Sequence, residues 1–147
     1  MMKKIILLIF LFFSLFIGGC GNETEKMCRI QIQSMDGTVI VTLEQQTQGD
    51  VARFFDEEHW VECESIDGFL TPKYIIHLYQ EKTHALIQTE NTYEKIIEYT
   101  IYEDSDIVKA TLCKDMISGG FISEEDLTVY YMGSEDFFIQ ISNAAKP

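Results

Sequence analysis

Along the 147-residue chain the apolar residues fall into one unbroken block, several alternating runs and two stretches with the spacing of a helix. The block comes first: Ile5 to Ile17 is 13 consecutive residues interrupted only by Ser14. A helix needs about 20 apolar residues to cross hydrocarbon, whereas a secretory leader needs about 7 to 15, so the block predicts a leader and not a membrane span. Residues 21 to 26, Gly-Asn-Glu-Thr-Glu-Lys, have no apolar period and read as a tether reaching at most about 20 Å.

Beyond the tether the period becomes two. Ile30 and Ile32 alternate with Gln31 and Gln33, and Val39 to Leu43 is rich in β-branched residues, so Asp36-Gly37 between them predicts a hairpin. Val51, Phe54 and Phe55 then stand at i, i+3 and i+4 on one helical face, with Asp50 as the expected cap and Asp56, Glu57 and Glu58 on the outer side. From Trp60 the alternation returns, Val61 and Cys63 against Glu62 and Glu64, and ends in the turn-prone Ser-Ile-Asp-Gly at 65–68. Pro72 opens a strand that runs to Gln80, and Thr83 to Gln88 reads as its return around a two-residue tip, Glu81-Lys82. Residues 94–103 form the longest β-like run, closed by Asp104-Ser105-Asp106 and followed by a strand over Ile107 to Leu112.

Residues 124–142 admit two readings. Acids after Ser123, with Leu127, Tyr130, Tyr131, Phe138 and Ile141, suit a helix, which is the first choice; Leu127 to Met132 and Phe137 to Ser142 around Gly133-Ser134 suit a hairpin. Strands with one or two helices predict an α+β fold, a mainly antiparallel sheet with the helices packed on one face, as a single domain over 28–147. No internal repeat occurs.

Charge narrows the partners. Lys3 and Lys4 are the only charged residues of the leader, so the rest holds nine of the 11 basic and all 24 acidic residues, a balance of −15. Such a surface disfavours nucleic acid, whose binders need clustered cations, and gives no electrostatic hold on anionic lipid. Its bland consequence is a soluble, self-repelling domain.

The cationic Met1–Lys4, the apolar block and then Ile17-Gly18-Gly19-Cys20 resemble the leader and lipobox of bacterial lipoproteins, an aliphatic residue and two small ones before a cysteine. The resemblance covers the first 20 residues. It implies that residues 1–19 are a signal peptide cut before Cys20 and that the Cys20 thiol carries a diacylglyceryl group of palmitate-type chains. Residues 20–27 are then a lipidated tether, and the location is the extracytoplasmic side of the plasma membrane. Two acyl chains hold stably where one does not. Leu more often stands where this chain has Ile17. Beyond the lipobox, the residues 36–43 (DGTVIVTL), 50–55 (DVARFF), Trp60 and 72–79 (PKYIIHLY) loosely resemble small lipoproteins of Gram-positive bacteria, while the last third departs from that pattern. This likeness implies fold and location and carries over no functional residue.

Candidate chemistry is sparse. Cys28, Cys63 and Cys113 leave an odd count once Cys20 is lipidated: Cys63 and Cys113 read as small buried residues of strands, against one disulfide plus a free thiol. His59 and Cys63 have the i, i+4 spacing of a metal pair or activated thiol on a helix, but the change of period at Trp60 separates them. With Glu81-Lys82 as a tip, Tyr79 lies opposite His84, and His77 falls diagonal to it on the same face, within reach of a shared zinc or copper ion. The acidic turns at 103–106 and 123–126 lack the spacing of a calcium loop. No phosphate loop, dinucleotide fingerprint or nucleophile elbow occurs. The expectation is therefore a membrane-anchored, non-enzymatic binding module with no catalytic residue, metal or cofactor and with a protein partner or ligand at the cell surface. The alternative is a metal-binding protein or hydrolase-type enzyme using His77 and His84 or Cys63.

Overall fold

The computed structural model describes residues 25–64, 66, 68–82, 92–113 and 123–146. The fold is α+β, as the patterning predicts. Its strands are β1 (Cys28–Ser34), β2 (Val39–Gln46), β3 (Val61–Cys63), β4 (Pro72–Glu81), β5 (Tyr93–Tyr102), β6 (Ile107–Leu112) and β7 (Thr128–Met132). They form one sheet in the order β2-β1-β4-β5-β6-β7-β3, with every neighbouring pair antiparallel. Helix α1 (Gln48–Phe55) follows β2 and helix α2 (Glu135–Ala144) follows β7. No described helix is long and apolar enough to cross a membrane.

The first hairpin forms at the expected turn. Gly37 takes φ +86°, a conformation a side chain resists, and its N–H donates to Ser34 O. Asp36 accepts from Ser34 Oγ and from Thr38 N, which holds its carboxyl down at about 2. The predicted helical face is also as expected, since Val51, Phe54 and Phe55 are the buried residues of α1. Its cap is not Asp50 but Thr47. The Thr47 hydroxyl accepts from Asp50 N, and the Asp50 carboxylate accepts from Thr47 N, so Asp50 closes a capping box as its third residue.

Two expectations change. β4 has a strand on each edge, β1 and β5, while Thr83 to Gln88, the expected return, lies outside the described residues. Tyr79 faces Arg29 of β1 on one side and Lys95 of β5 on the other, and Glu81 pairs with Tyr93. A two-residue tip at Glu81-Lys82 is therefore excluded, and with it the register that set Tyr79 opposite His84. Residues 124–142 are neither one helix nor a hairpin. A 3-10 turn (Glu125–Leu127) leads into β7, and α2 begins only after Gly133, with Ser134 as its cap accepting from Phe137 N. Strand and helix periods both fitted because each is right for half the segment.

Both helices lie on one face of the sheet and enclose an aromatic core. Phe55 packs on Tyr99 of β5 at 4.5 Å between ring centroids and on Phe137 of α2 at 5.8 Å. Trp60 sits 4.8 Å from Phe137 and 5.6 Å from Tyr131 of β7. Under them Ile30, Ile32, Ile76 and Leu78 are fully enclosed. Ile96 and Ile97 are both buried despite the alternation, because β5 carries an extra residue where Leu78 pairs with Ile97 and Tyr79 with Lys95.

Candidate functional site

The described residues offer two polar centres, one on each face of the sheet. On the face away from the helices, register aligns Thr42, Gln31, His77, Glu98, Thr111 and Thr128 as one rung across six strands. The rung is internally bonded: His77 Nε2 to Glu98 Oε2 at 3.0 Å, and Thr111 to Thr128 between hydroxyls at 3.1 Å. Lys95 Nζ donates to the same Glu98 oxygen at 3.0 Å, and the Tyr79 hydroxyl lies 3.4 Å from His77 Nδ1. Burial, reinforced by the Lys95 charge, pushes the His77 imidazole below its ordinary range. Both ring nitrogens of His77 are thus engaged within the sheet. His84 lies outside the described residues, so the pair is not assembled here.

The other expected chemistry is dispersed. Cys63 is in β3 opposite Tyr130, one residue out of phase with Glu62 and Tyr131, and so faces away from the helices. His59 belongs to a 3-10 turn (Glu57–His59) and pairs with Asp56 instead. Cys28 and Cys63 are free thiols. Cys28 is the fully buried one, with its thiol pushed up to about 11, while Cys63 and Cys113 are half-buried, which corrects the expectation that those two lie in the core. Cys113 stands just beyond the end of β6. Cys20 lies outside the described residues.

The helical face carries the arrangement that the sequence did not reveal. Asp56 leaves α1 in the left-handed conformation, φ 53°, which turns its carboxylate toward the start of α2. One oxygen accepts from Ser134 Oγ at 2.6 Å and the other pairs with His59 Nδ1 at 2.6 Å. These bonds hold the Asp56 carboxyl below its ordinary range and raise the His59 imidazole above its own. Asp56, Glu58 and His59 are also the group, among the described residues, that brings three candidate metal-ligand atoms within 4.8 Å.

Next to this staple the helices leave a groove of about 800 Å³. Val51, Ala52 and Phe55 of α1 and Ile139 of α2 line it with apolar surface, and Ile139 is 48% exposed. Glu57, Glu58 and Asp136 add carboxylates at the α1 end. Glu57 is the deepest. Its Oε1 accepts from the fully buried Tyr99 hydroxyl at 2.6 Å, and burial raises its carboxyl above the ordinary range. Tyr131, near Glu57 and Glu62, is pushed up to about 12 by the same burial. Further in, Trp60 Nε1 and Glu62 Oε2 are buried without a hydrogen-bond partner among the described residues.

Asp56, Glu57 and Glu58 were expected on the outer face of the helix, but α1 ends at Phe55 and the three follow its C-terminus. That position is itself a signal: carboxylates are disfavoured at the negative end of a helix. The Asp56–Ser134 contact spans 78 positions and had no such signal. Compared with family models, with curated proteins and with solved structures, the chain has no match.

Proposed function

We propose that the chain is an extracytoplasmic lipoprotein, held at the plasma membrane by a lipid on Cys20, whose folded domain is a non-enzymatic binding module. The observation that carries the anchor is the order of cationic start, short apolar block and Ile17-Gly18-Gly19-Cys20. The fold is consistent with a short tether. Gln48 N donates to Glu25 Oε1, and Met27 exchanges bonds with Glu81, so residues 25–27 are already bound to one end of the sheet. Residues 21–24, between Cys20 and that bonded segment, can span at most about 15 Å. Binding is supported by the groove between α1 and α2, whose apolar walls and few convergent polar groups are of the size and kind that small-ligand sites have.

The test is partition between detergent and aqueous phases. The wild-type chain from a bacterial host enters the detergent phase, and Cys20→Ala moves it to the aqueous phase or the medium with its melting temperature unchanged. Equal partition of the two would end the lipoprotein reading.

Metal binding is a second reading, and the observation favouring it is the cluster of Asp56, Glu58 and His59. Zinc titration separates the readings. The binding-module account predicts no stoichiometric site at micromolar metal, and a site lost in His59→Ala would replace it.

A further inference from the structure

We propose that the end of the sheet opposite residues 25–27 is a docking surface for a basic polypeptide segment, with Phe69, Met132 and Val61 as its apolar contacts and Glu103, Asp104 and Asp106 as the partners of its cations. The proposal names the partner class for the binding-module reading and rests on it.

The strands give the molecule two unlike ends. Residues 25–27 are bonded to the end where β1 starts and β4 stops, through Glu25 to Gln48 and Met27 to Glu81. The antiparallel register sets the starts of β2, β3, β4 and β6 and the ends of β1, β5 and β7 at the other end. Met35, Val39, Ile40, Phe69, Val61 and Met132 all stand there, each at least 40% exposed, and among the described residues Ile139 is the one other large apolar side chain so exposed. Single exposed apolar residues are ordinary, but their gathering at one end marks a contact surface. Main-chain bonds join its central part. Thr71 O accepts from Glu103 N and Asp106 O from Gly133 N, so the turn at 103–106 lies between the loop that carries Phe69 and the end of β7. Beyond it Ile107, Met132 and Val61 pair as one apolar rung across β6, β7 and β3.

Charge selects the occupant. Glu103, Asp104 and Asp106 are exposed and form no ion pair among the described residues. Of the basic side chains toward this end, Lys73 lies over the Tyr74 ring at 5.3 Å, and Lys109 stands further along β6 than Ile107. The acids alone would be an ordinary solvated turn; apolar side chains on both sides of them make a surface. A second copy would bring like turns together on chains that each carry −15 beyond the leader, and an anionic lipid surface is repelled in the same way. A basic segment with apolar side chains meets both features. From β4 to β3 is four strand intervals, about 19 Å, which about six extended residues cross. The partner therefore presents an apolar side chain, two cations and a second apolar side chain at alternate positions of an extended segment, all on one face.

Three capped heptapeptides test the pattern: Trp-Ser-Arg-Ser-Arg-Ser-Trp, the same peptide with Ser for both Trp, and the same peptide with Glu for both Arg. The full chain is titrated in zwitterionic lipid nanodiscs at about 150 mM salt, with empty discs as the blank, while methyl resonances report location. Entry into the discs tests the anchoring reading separately, before any peptide is added, and a chain that stays out is titrated free. The first peptide binds below about 1 mM and at least about tenfold tighter than either control, and it shifts the Met132 methyl while leaving that of Met27, at the opposite end, in place. Phe69→Ser, and Asp104→Asn with Asp106→Asn, each remove about that tenfold. Both variants keep the fold: Phe69 is fully exposed, and Asn accepts the left-handed φ of 48° that Asp104 holds. Equal binding of the peptide without Trp would show only the pull of an acidic chain on cations, and would overturn the proposal. Self-association of the chain that Phe69→Ser abolishes would make a second copy the occupant. A shift of the Ile139 methyl in place of Met132 would return binding to the groove between α1 and α2, sinking this site and sparing the binding-module reading. A preference that survives the substitutions, or no binding at about 1 mM, overturns the proposal as well.

Discussion

At the scale of single residues, the two described histidines are driven in opposite directions by their surroundings. His59 is exposed and bonded to the Asp56 carboxylate, which favours the cation; His77 is largely buried beside Lys95, which favours the neutral ring. Resonance titration should place His59 above 6.5 and His77 below it, and Asp56→Asn should return His59 toward the ordinary value while leaving His77 alone. The stability that follows has a definite sign. Asp56, held below its usual value, stabilises the fold above about pH 4, and this is lost as the pH falls through its native value. His59, raised, stabilises below its unfolded value of about 6.5, and this is lost as the pH rises through its native value. The staple is therefore strongest in the mildly acidic window between them. His77, lowered, contributes above 6.5 and loses its contribution as the pH falls. Two imidazoles that titrate together would contradict the described contacts.

Elements were legible wherever one face of a strand or helix is buried and the other wet. Ile30 and Ile32, or Val51, Phe54 and Phe55, carry their own period, so β1 and α1 could be read without knowing their neighbours. Legibility failed where the decisive interaction is not periodic. The capping box moves the start of α1 to Thr47, and the bulge at Ile96 breaks alternation in β5. β4 is half of a hairpin with the next strand, β5, but its other neighbour, β1, is set by sheet order, which no local run of residues encodes. Two substitutions measure these junctions. Thr47→Ala removes the cap and should cost about 1 kcal/mol in denaturant unfolding. Gly133→Ala places a methyl 3.0 Å from the Phe138 ring and 3.1 Å from Val108, where β7 turns into α2, and should cost about 1 to 3 kcal/mol. A neutral result at Gly133 would mean that α2 docks less closely than described.

For the whole molecule, the sheet has two unlike edges. β3, at one end, is three residues long and offers little for another strand to join, whereas β2, at the other, runs eight residues with Val39 and Ile40 exposed. The helices cover one face, and the bonded rung through His77 and Glu98 makes up part of the other. Of the candidate site, the sequence showed the residue types and missed their assembly. Asp56, Glu57 and Glu58 were visible as an acidic run, but their place at the end of α1, against Ser134 and Tyr99, depends on contacts 42 and 78 positions apart. The anchor is the reverse case. Its argument is wholly local, a leader and four residues, and it remains the proposal on which the location of the domain rests.

That claim has one direct measurement, the intact mass of the chain recovered from the membrane fraction of a bacterial host. The account predicts a polypeptide that begins at Cys20 and is heavier than its sequence by a thioether-linked diacylglyceryl group. A mature chain with another first residue, or one that begins at Cys20 with an unmodified thiol, would contradict it.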